Sequence, residues 1–545
     1  MSLYPSRLLF ALMCAGVVPG VLAQALPDAG SVREQSRVAP SLPAASEMRL
    51  EGQPLLPTEE GGMKFRLEAV QIEGNTVIST EALQSLLQAE VGTEVDLGGL
   101  RAIVNKVSEF YRSQGYLFAR ALVPAQDIQK GVVKVLVVEG RYGKVSATLN
   151  GEPNEQLQAY VGRLKSGDVI ESEGVERAAL LLTDLPGYTG VPVVRPGAEV
   201  GTGDFEVMMK DGPQQQGSVR VDNHGGDLTG KGRATLNLAR FRNFAFGDSL
   251  EVAALMTEGS TRLLNLQYGL PLSTNGLRGQ VSVSSSQYQL SGLDGFAAGE
   301  FRGSSGTQGL SLSYPLVRSQ ARNVTLGVGF SAAQYRNTRP AVDDEKYSTV
   351  SVPLSLRFDS RDAVGGGGVS FGALSLTAGT LSDKANYQTP NTLGAYSKFG
   401  IDAVRMQRMG SLFTGYVRVN GQFASGELDS SERLSAGGPA GVRSFPVGEA
   451  SGERGVVTQW ELRYQSPLAG LEPYLFADAA SVTKISKAEG NSSRRISGYG
   501  IGVRYQKGAL SSDVAASWVG SGGPTQQTMV SQSSPKFWLS LNLSF

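Results

Sequence analysis

Cysteine and histidine are scarce in this sequence: Cys14 and His224 are the single residues of each type among 545. Cys14 lies in the first apolar segment, so removal of that segment leaves no thiol and excludes disulfides from the rest of the chain. A serine triad or a zinc site would have to form without a second imidazole. We therefore expect no enzyme, no metal site and no cofactor, with stability supplied by packing and hydrogen-bonded sheet.

The chain also lacks an excess of either charge, since 50 Lys and Arg residues balance 50 Asp and Glu residues. This balance gives no overall attraction to nucleic acid, which we do not expect as a partner. Beyond the N-terminus there is no apolar run of the roughly 20 residues that a spanning helix needs. Any membrane span must therefore be a closed barrel. Length alone also allows a soluble multidomain protein, so the residue pattern has to decide.

The N-terminus has the pattern of an export signal. Arg7 precedes an apolar run over residues 8–22, and Val21 and Ala23 occupy the small-residue cleavage positions. We predict a signal peptide over residues 1–23. Residues 24–64, rich in Pro, Ala, Ser and Glu, predict a linker with a short helix at residues 31–38. A disordered tail is the alternative.

Two small α/β modules follow. Over residues 65–140, FRLEAVQIEGNTV alternates like a strand, two stretches carry apolar residues at helical spacing, and LFARALVP and VVKVLVVEG resemble closing strands. The β-α-α-β-β order recurs more weakly over residues 141–212, from VSATLNG to FEVMMKDG. Two copies of one module are the economical interpretation.

From residue 213 to residue 545 the helical spacing disappears. About sixteen segments approach the ~10 residues of a tilted transmembrane strand. In KFWLSLNLSF one face is apolar from Phe537 to Phe545, and the other carries Trp538, Ser540, Asn542 and Ser544. VVTQWELRYQ and GYGIGVRYQ also place charged residues on the inner face, which suits a water-filled interior and not a dry sandwich core. An all-β membrane barrel of about 16 antiparallel strands is favoured over a soluble sandwich or propeller.

Several local features of this half have simple interpretations. Asn275-Gly276 predicts a tight hairpin turn, and the three tryptophans suit aromatic girdles at the membrane surfaces. His224 is predicted to be a solvated turn residue. GGDLTGKG, residues 225–232, nearly spells a phosphate-binding loop but lacks the Ser or Thr and the strand-loop-helix context. The glycine run 365–368 predicts a mobile hairpin loop.

The long segment SAGGPAGVRSFPVGEASGERG, residues 435–455, is the more informative stretch, because long loops are usually functional or disordered. It carries Arg443 between Val442 and Ser444, with Phe445 close behind. Downstream, PYLFADAASV places Phe476 and Asp478 on one strand face. If that face is the lumen, Asp478 can pair with Arg443 when the loop folds inward. A solvated surface arginine and an ordinary wet lumen carboxylate are the alternatives.

At these residues the chain resembles the TpsB family of two-partner secretion transporters, which are outer-membrane barrels that follow periplasmic POTRA domains. The two modules are similar to tandem POTRA domains, and VRVDNHGGDLTGKGR resembles the start of the family's barrel. Family members carry Val-Arg-Gly-Phe or Val-Arg-Gly-Tyr on an inward-folded loop, and Phe-x-Asp-x-Gly on a strand. The matching residues are Val442, Arg443 and Phe445, then Phe476 and Asp478. Ser444 and Ala480 replace the two glycines of these motifs.

The resemblance implies a function as well as a fold. It implies that the POTRA domains capture an unfolded TpsA-like exoprotein in the periplasm, that the barrel passes it to the cell surface, and that residues 31–38 plug the pore. Outer-membrane lipid and, through Phe545, the barrel-assembly machinery are the further expected partners. A barrel-assembly factor of the same superfamily and a passive or gated channel are the alternative functions.

Overall fold

The protein is described by a computed structural model over residues 26–35, 61, 63–290, 300–525 and 533–545. The predicted signal peptide and most of the predicted linker lie outside these residues. In the part of the chain that is described, no helix combines the length and apolarity needed to cross a membrane.

The first α/β domain packs two helices against a three-stranded sheet of order β2-β5-β4, and a short β1-β3 pair lies beside it. Each helix begins at a polar cap: Ser79 accepts a hydrogen bond from the amide of Ala82, and Asp96 from that of Gly99. Apolar residues at helical spacing, among them Val104 and Tyr111, form its buried core. The elements are β1 Phe65–Arg66, β2 Ala69–Glu73, α2 Thr80–Leu87, β3 Glu94–Val95, α3 Leu97–Ser113, β4 Arg120–Leu122 and β5 Val132–Val138, preceded by α1 Ala29–Gln35.

A buried carboxylate secures the end of this domain. Glu139 accepts hydrogen bonds from the amide of Val77 at 2.9 Å and the hydroxyl of Tyr111 at 3.0 Å. Burial raises the pKa of Glu139, but hydrogen bonds from Thr76, Val77 and Tyr111 outweigh it and hold the pKa below its ordinary value. Arg141, the first residue of the next domain, donates to Thr76 at 2.9 Å and so joins the two domains.

The second α/β domain repeats the arrangement with a four-stranded sheet of order β7-β6-β9-β8, in which β8 is an edge strand. Its core joins Leu157 and Val175 of the helices to Phe205 and Val207 of β9. The elements are β6 Arg141–Leu149, β7 Glu152–Pro153, α4 Glu155–Val161, α5 Ser172–Thr183, β8 Tyr188–Pro196 and β9 Thr202–Asp211.

Sixteen antiparallel strands of the described chain then close into a barrel, which confirms the predicted fold class. The first and last strands pair with each other, and the ring closes at Gly217, whose amide donates to the Phe545 carbonyl at 2.8 Å. The barrel strands are β10 Gln215–Asp222, β11 Arg233–Phe241, β12 Ser249–Thr257, β13 Arg262–Pro271, β14 Arg278–Gln289, β15 Arg302–Arg318, β16 Arg322–Thr338, β17 Glu345–Asp362, β18 Gly368–Ala385, β19 Gly394–Met409, β20 Phe413–Ala424, β23 Arg454–Tyr464, β24 Leu471–Lys484, β25 Ser492–Lys507, β26 Leu510–Ser521 and β27 Lys536–Ser544.

The two faces of the wall differ as the alternation predicts. On β27, Phe537, Leu539, Leu541 and Leu543 are exposed on the outer surface, whereas Trp538 is buried on the inner one. Trp460 faces outward, but Trp538 does not, so the girdle expectation is wrong for Trp538. Several strands, such as the 18-residue β17, are longer than the expected ~10 residues because their ladders continue beyond the apolar belt.

The barrel has a domain end, which adjoins the second α/β domain, and an opposite far end. At the domain end, residues 272–277 connect β13 to β14, and only Gly276 of the predicted Asn275-Gly276 turn has a positive φ, of 97°. The second α/β domain is anchored at this end. Arg318 donates to both carboxylate oxygens of Asp184 at 2.7 Å, and Arg177 donates to the Pro315 carbonyl at 2.8 Å.

Candidate functional site

The connection between β20 and β23, residues 425–453, folds from the far end into the barrel lumen. Its inner part begins and ends at a short strand pair, β21 Leu434–Ser435 with β22 Ser451–Gly452. Backbone hydrogen bonds such as Val442 N to Ala436 O, at 2.7 Å, make the part between them compact. Val442 and Phe445 are fully buried against the barrel wall. We call residues 436–450 the inner loop.

Arg443 joins the inner loop to the wall through both its side chain and its backbone. Its Nε and Nη2 donate to the two oxygens of Asp478, each at 2.8 Å, and its backbone amide donates to the same carboxylate at 3.0 Å. The guanidinium lies over the Phe476 ring, with its central carbon 3.6 Å from the ring centroid. Arg443 is 6% exposed and Asp478 is 2% exposed. The alternatives of a solvated surface arginine and an ordinary wet lumen carboxylate are therefore wrong.

Glu461 extends this contact into a charge network on the lumen wall. One of its oxygens accepts from Arg443 at 2.8 Å. Arg504 donates to both oxygens, at 2.9 and 3.0 Å, and Arg463 adds a bond at 2.9 Å. Arg504 also pairs with Asp513 at 2.8 Å. Because each carboxylate faces at least one guanidinium, the buried charges compensate one another.

Other strands hold the backbone of the inner loop. Trp538 Nε1 and Ser517 Oγ donate to the Arg443 carbonyl at 2.7 and 2.8 Å. On β20 and β23, Arg418 donates to the Ala440 carbonyl at 3.0 Å and Gln459 to that of Gly441 at 2.8 Å. Arg494 of β25 also pairs with Glu449 of the inner loop at 2.6 Å. The inner loop is thus tied to six consecutive strands of the ring.

The structure brings all five sequence-predicted site residues together. Val442 and Phe445 pack with Ala480 in one apolar cluster, while Phe476 and Asp478 meet Arg443. Sequence reasoning did not assign Glu461, Arg504 or Trp538 to this site. For Glu461 and Arg504, strand alternation predicted the lumen face, which was the one sequence signal for their place in this site. The bond from Trp538 goes to a backbone carbonyl and has no signature in the sequence.

A second structured segment occupies the lumen near the far end. Helix α1 spans Ala29–Gln35, two residues earlier than predicted, because Asp28 accepts from the Ser31 amide at 2.8 Å and so caps the helix. Residues 36–38 of the predicted helix lie outside the described residues. Ala29 and Val32 pack on lumen-facing side chains that include Tyr288, Tyr335 and Tyr347. Ser430, beside the inner loop, donates to Asp28 at 2.7 Å.

Among the described residues, the remaining sequence candidates form neither a catalytic site nor a phosphate-binding site. His224 lies in the predicted turn, but its ring packs edge-on against Trp538 at a centroid distance of 5.7 Å and is not freely solvated. Residues 225–232 connect two strands, so no helix follows them. The side-chain amide of Gln407 lies within hydrogen-bond distance of the carbonyls of Val364, Gly365 and Gly367 in the glycine-rich hairpin. The described residues contain no group of three or more His, Cys, Asp or Glu side chains placed to hold a metal ion.

These features define a class of protein. A closed barrel with an apolar outer face, a lumen lined by ion pairs and α/β domains at one end is the architecture of an outer-membrane barrel preceded by POTRA domains. The model of the family described as haemolysin secretion/activation protein ShlB/FhaC/HecB matches residues 201–505, and the POTRA domain, ShlB-type, matches residues 65–140. The chain belongs to this family, the TpsB transporters.

TpsB transporters secrete large TpsA exoproteins across the outer membrane in two-partner systems. The domain end of the barrel is accordingly periplasmic, and the far end faces the cell surface. This assignment favours export over the assembly-factor and passive-channel alternatives.

Individual relatives agree with this assignment. The heme/hemopexin transporter protein HuxB of Haemophilus influenzae is 27% identical over 467 residues, covering 82% of each chain. The outer membrane transporter CdiB of Dickeya dadantii is 22% identical and covers 84% of this chain and 83% of its own. The solved structure of CdiB from Escherichia coli has the same fold, with a TM-score of 0.71, 20% identity and coverage of 91% of this chain and 94% of that chain.

Proposed function

We propose that this chain exports a specific exoprotein through its own barrel lumen, and that the Arg443–Asp478 contact gates the passage. One observation carries the proposal. The inner loop lies within the lumen, and a buried bidentate ion pair joins it to the wall. Space for a polypeptide on this side of the lumen requires the inner loop to move.

The chemistry of the pair suits a contact with two states. Two charges held out of water remain stable only while they face each other, and loss of one partner typically costs about 3–5 kcal/mol. In the wet lumen, however, both groups can be hydrated after they separate. Both charges therefore have partners in the held state and in the released state, whereas in intermediate positions they lack them.

Helix α1 is the second obstruction in the lumen, and we assign it the role of a plug. It has only seven residues, and Ala29 and Val32 supply its buried apolar contacts with the wall. Its polar contacts with the wall and the neighbouring loop include those from Ser430 to Asp28, from Ala29 to Asn337 and from Arg33 to Tyr335. A contact of this size favours a segment that can be displaced.

The two periplasmic domains would receive the client. Strand β8 leaves one side of its sheet unpaired, and an extended polypeptide can add to such an edge through main-chain hydrogen bonds without a strict sequence requirement. In this proposal the chain is not an enzyme, and folding of the client outside the cell gives the transport its direction. Lipid covers the apolar outer face, and Phe545, which is 67% exposed, is available for recognition by the barrel-assembly machinery.

Secretion measurements with uncharged variants test the gate. Asp478→Asn keeps the side-chain volume, Arg443→Gln gives a shorter polar side chain, and these two variants and the double variant remove the ion pair. We expect each variant to reduce secreted exoprotein strongly while the barrel remains in the outer membrane, because the inner loop loses its fixed position. Normal secretion by the double variant would refute the gating role.

The matched control is Arg495→Gln. Arg495 lies on β25 and is exposed, so its loss removes one positive charge from the same region without touching the inner loop. Secretion by this variant should equal that of the unmodified chain. The heat-modifiable electrophoretic mobility of each barrel shows separately whether it has folded.

A further inference from the structure

A polar cavity of about 280 Å³ lies at the domain end, where the second α/β domain meets the barrel wall. Asp184 and Pro186 of that domain cover one side of the cavity. The barrel side consists of lumen-facing residues of four consecutive strands, β12 to β15, which include Glu251, Gln267, Arg278, Gln280 and Ser313. The cavity is therefore the part of the lumen nearest to the periplasmic domains on this side of the barrel.

Arg278 faces this cavity with unused hydrogen-bonding capacity. Its guanidinium carries five N–H donors. Among the described residues it has one hydrogen bond, to the Gly247 carbonyl at 3.4 Å, and no carboxylate oxygen within 4.0 Å. Arg318, at the same end of the barrel, differs because its Nε and Nη2 donate to Asp184 and its Nη1 donates to Asn323.

The remaining lining decides what Arg278 can bind. Glu251 and Asp184 place two carboxylates on the same cavity, and these oppose the binding of a free anion. The side-chain amides of Gln267 and Gln280 bond each other and offer further donors and acceptors. An extended main chain presents one N–H donor and one carbonyl acceptor per residue. An extended main chain therefore matches a surface that supplies both hydrogen-bond donors and acceptors.

We propose that this cavity binds the extended main chain of the exoprotein as it leaves the second α/β domain, with Arg278 donating to the client's carbonyl oxygens. This inference rests on the proposed export through the lumen and adds the place where the client first contacts the barrel. The lining recognises backbone and not apolar side chains, so successive segments of different sequence can occupy it. A transporter that passes a long chain requires such tolerance.

Cysteine capture tests the location. The predicted mature chain has no cysteine of its own, so Ser313→Cys reports on the cavity alone. Ser375→Cys is the matched control, because Ser313, Gly327, Ser355 and Ser375 are successive cross-strand partners and therefore share the lumen face. The probe is the exoprotein that depends on this chain, carrying single cysteines and halted by a fused domain that stays folded in the periplasm.

We expect Ser313→Cys to form several times more disulfide with the halted exoprotein than Ser375→Cys does. Arg278→Gln should lower both this capture and secretion, by about tenfold, since it removes charge-assisted hydrogen bonds. Arg322→Gln, an exposed arginine at the same end, should change neither.

Two results would overturn the inference. One is equal capture by the two cysteines, and the other is normal secretion by Arg278→Gln. A chain with intact Arg278 that secretes nothing refutes the export proposal as well, so the two failures are distinguishable.

Discussion

Single residues show how the inner loop accommodates a serine where the family motif has glycine. An added Cβ at Gly498 of β25 would lie 2.1 Å from the Ser444 Oγ and 2.7 Å from its Cβ, so Ser444 occupies the space that Gly498 leaves. The φ angle of Ser444 is not positive, and serine therefore causes no backbone strain. The glycine that matters for this fit lies on the wall and not on the loop.

This arrangement predicts a reciprocal effect on stability. Gly498→Ala should destabilise the barrel by about 1–3 kcal/mol through overpacking. Adding Ser444→Gly should recover part of that loss, because only the tight contact with the Trp518 carbonyl, at 3.0 Å, remains. Ser444→Gly alone should be close to neutral. Thermal unfolding followed by heat-modifiable mobility measures all three, and a double variant no more stable than Gly498→Ala would contradict the account.

At the scale of elements, α1 depends on close approach to the wall. Ala29 is 1% exposed, and its amide donates to Asn337 at 3.0 Å. An added Cβ at Gly30 would lie 2.5 Å from the Ser430 Oγ. The helix therefore fits because its contact residues are small.

A large residue at this contact should displace the helix. We expect Ala29→Trp to raise the conductance of the purified protein in planar bilayers, because the far end of the lumen loses its obstruction. Ala29→Ser keeps a small side chain and is the control. Equal conductance of Ala29→Trp and the unmodified chain would show that α1 does not limit the opening.

At the scale of the whole molecule, the barrel and the α/β domains are held together in different ways. The closed barrel has no free sheet edge, and all its backbone partners lie within the ring. The α/β domains instead depend on small apolar cores and retain sheet edges. Trp460, Trp518 and Trp538 are the three tryptophans of the chain, and each lies on a barrel strand.

Tryptophan fluorescence should therefore report on the barrel alone. In detergent with increasing urea, we expect the helical circular dichroism of the α/β domains to be lost before the fluorescence changes. Coincident transitions for the two signals would indicate that the domains and the barrel unfold as one unit.

The sequence by itself determined the fold class, because strand alternation is a local signal. A polar residue such as Glu461 between outward apolar residues already requires a wet interior. The sequence also predicted that Arg443 can pair with Asp478, since both residues stand in recognisable motifs. The start of α1 was missed by two residues because the cap at Asp28 depends on one side-chain hydrogen bond.

Only the tertiary structure decided how these parts meet. Trp538 reaches the Arg443 carbonyl, and Arg504 reaches Glu461, across strands that lie far apart in the chain. Closure of the ring sets those distances, and no local pattern encodes them. The cavity around Arg278 likewise exists because Asp184 is anchored to Arg318, which places the second α/β domain over the barrel wall. Local periodicity fixes which face a residue lies on, whereas ring closure and domain anchoring decide which residues share that space.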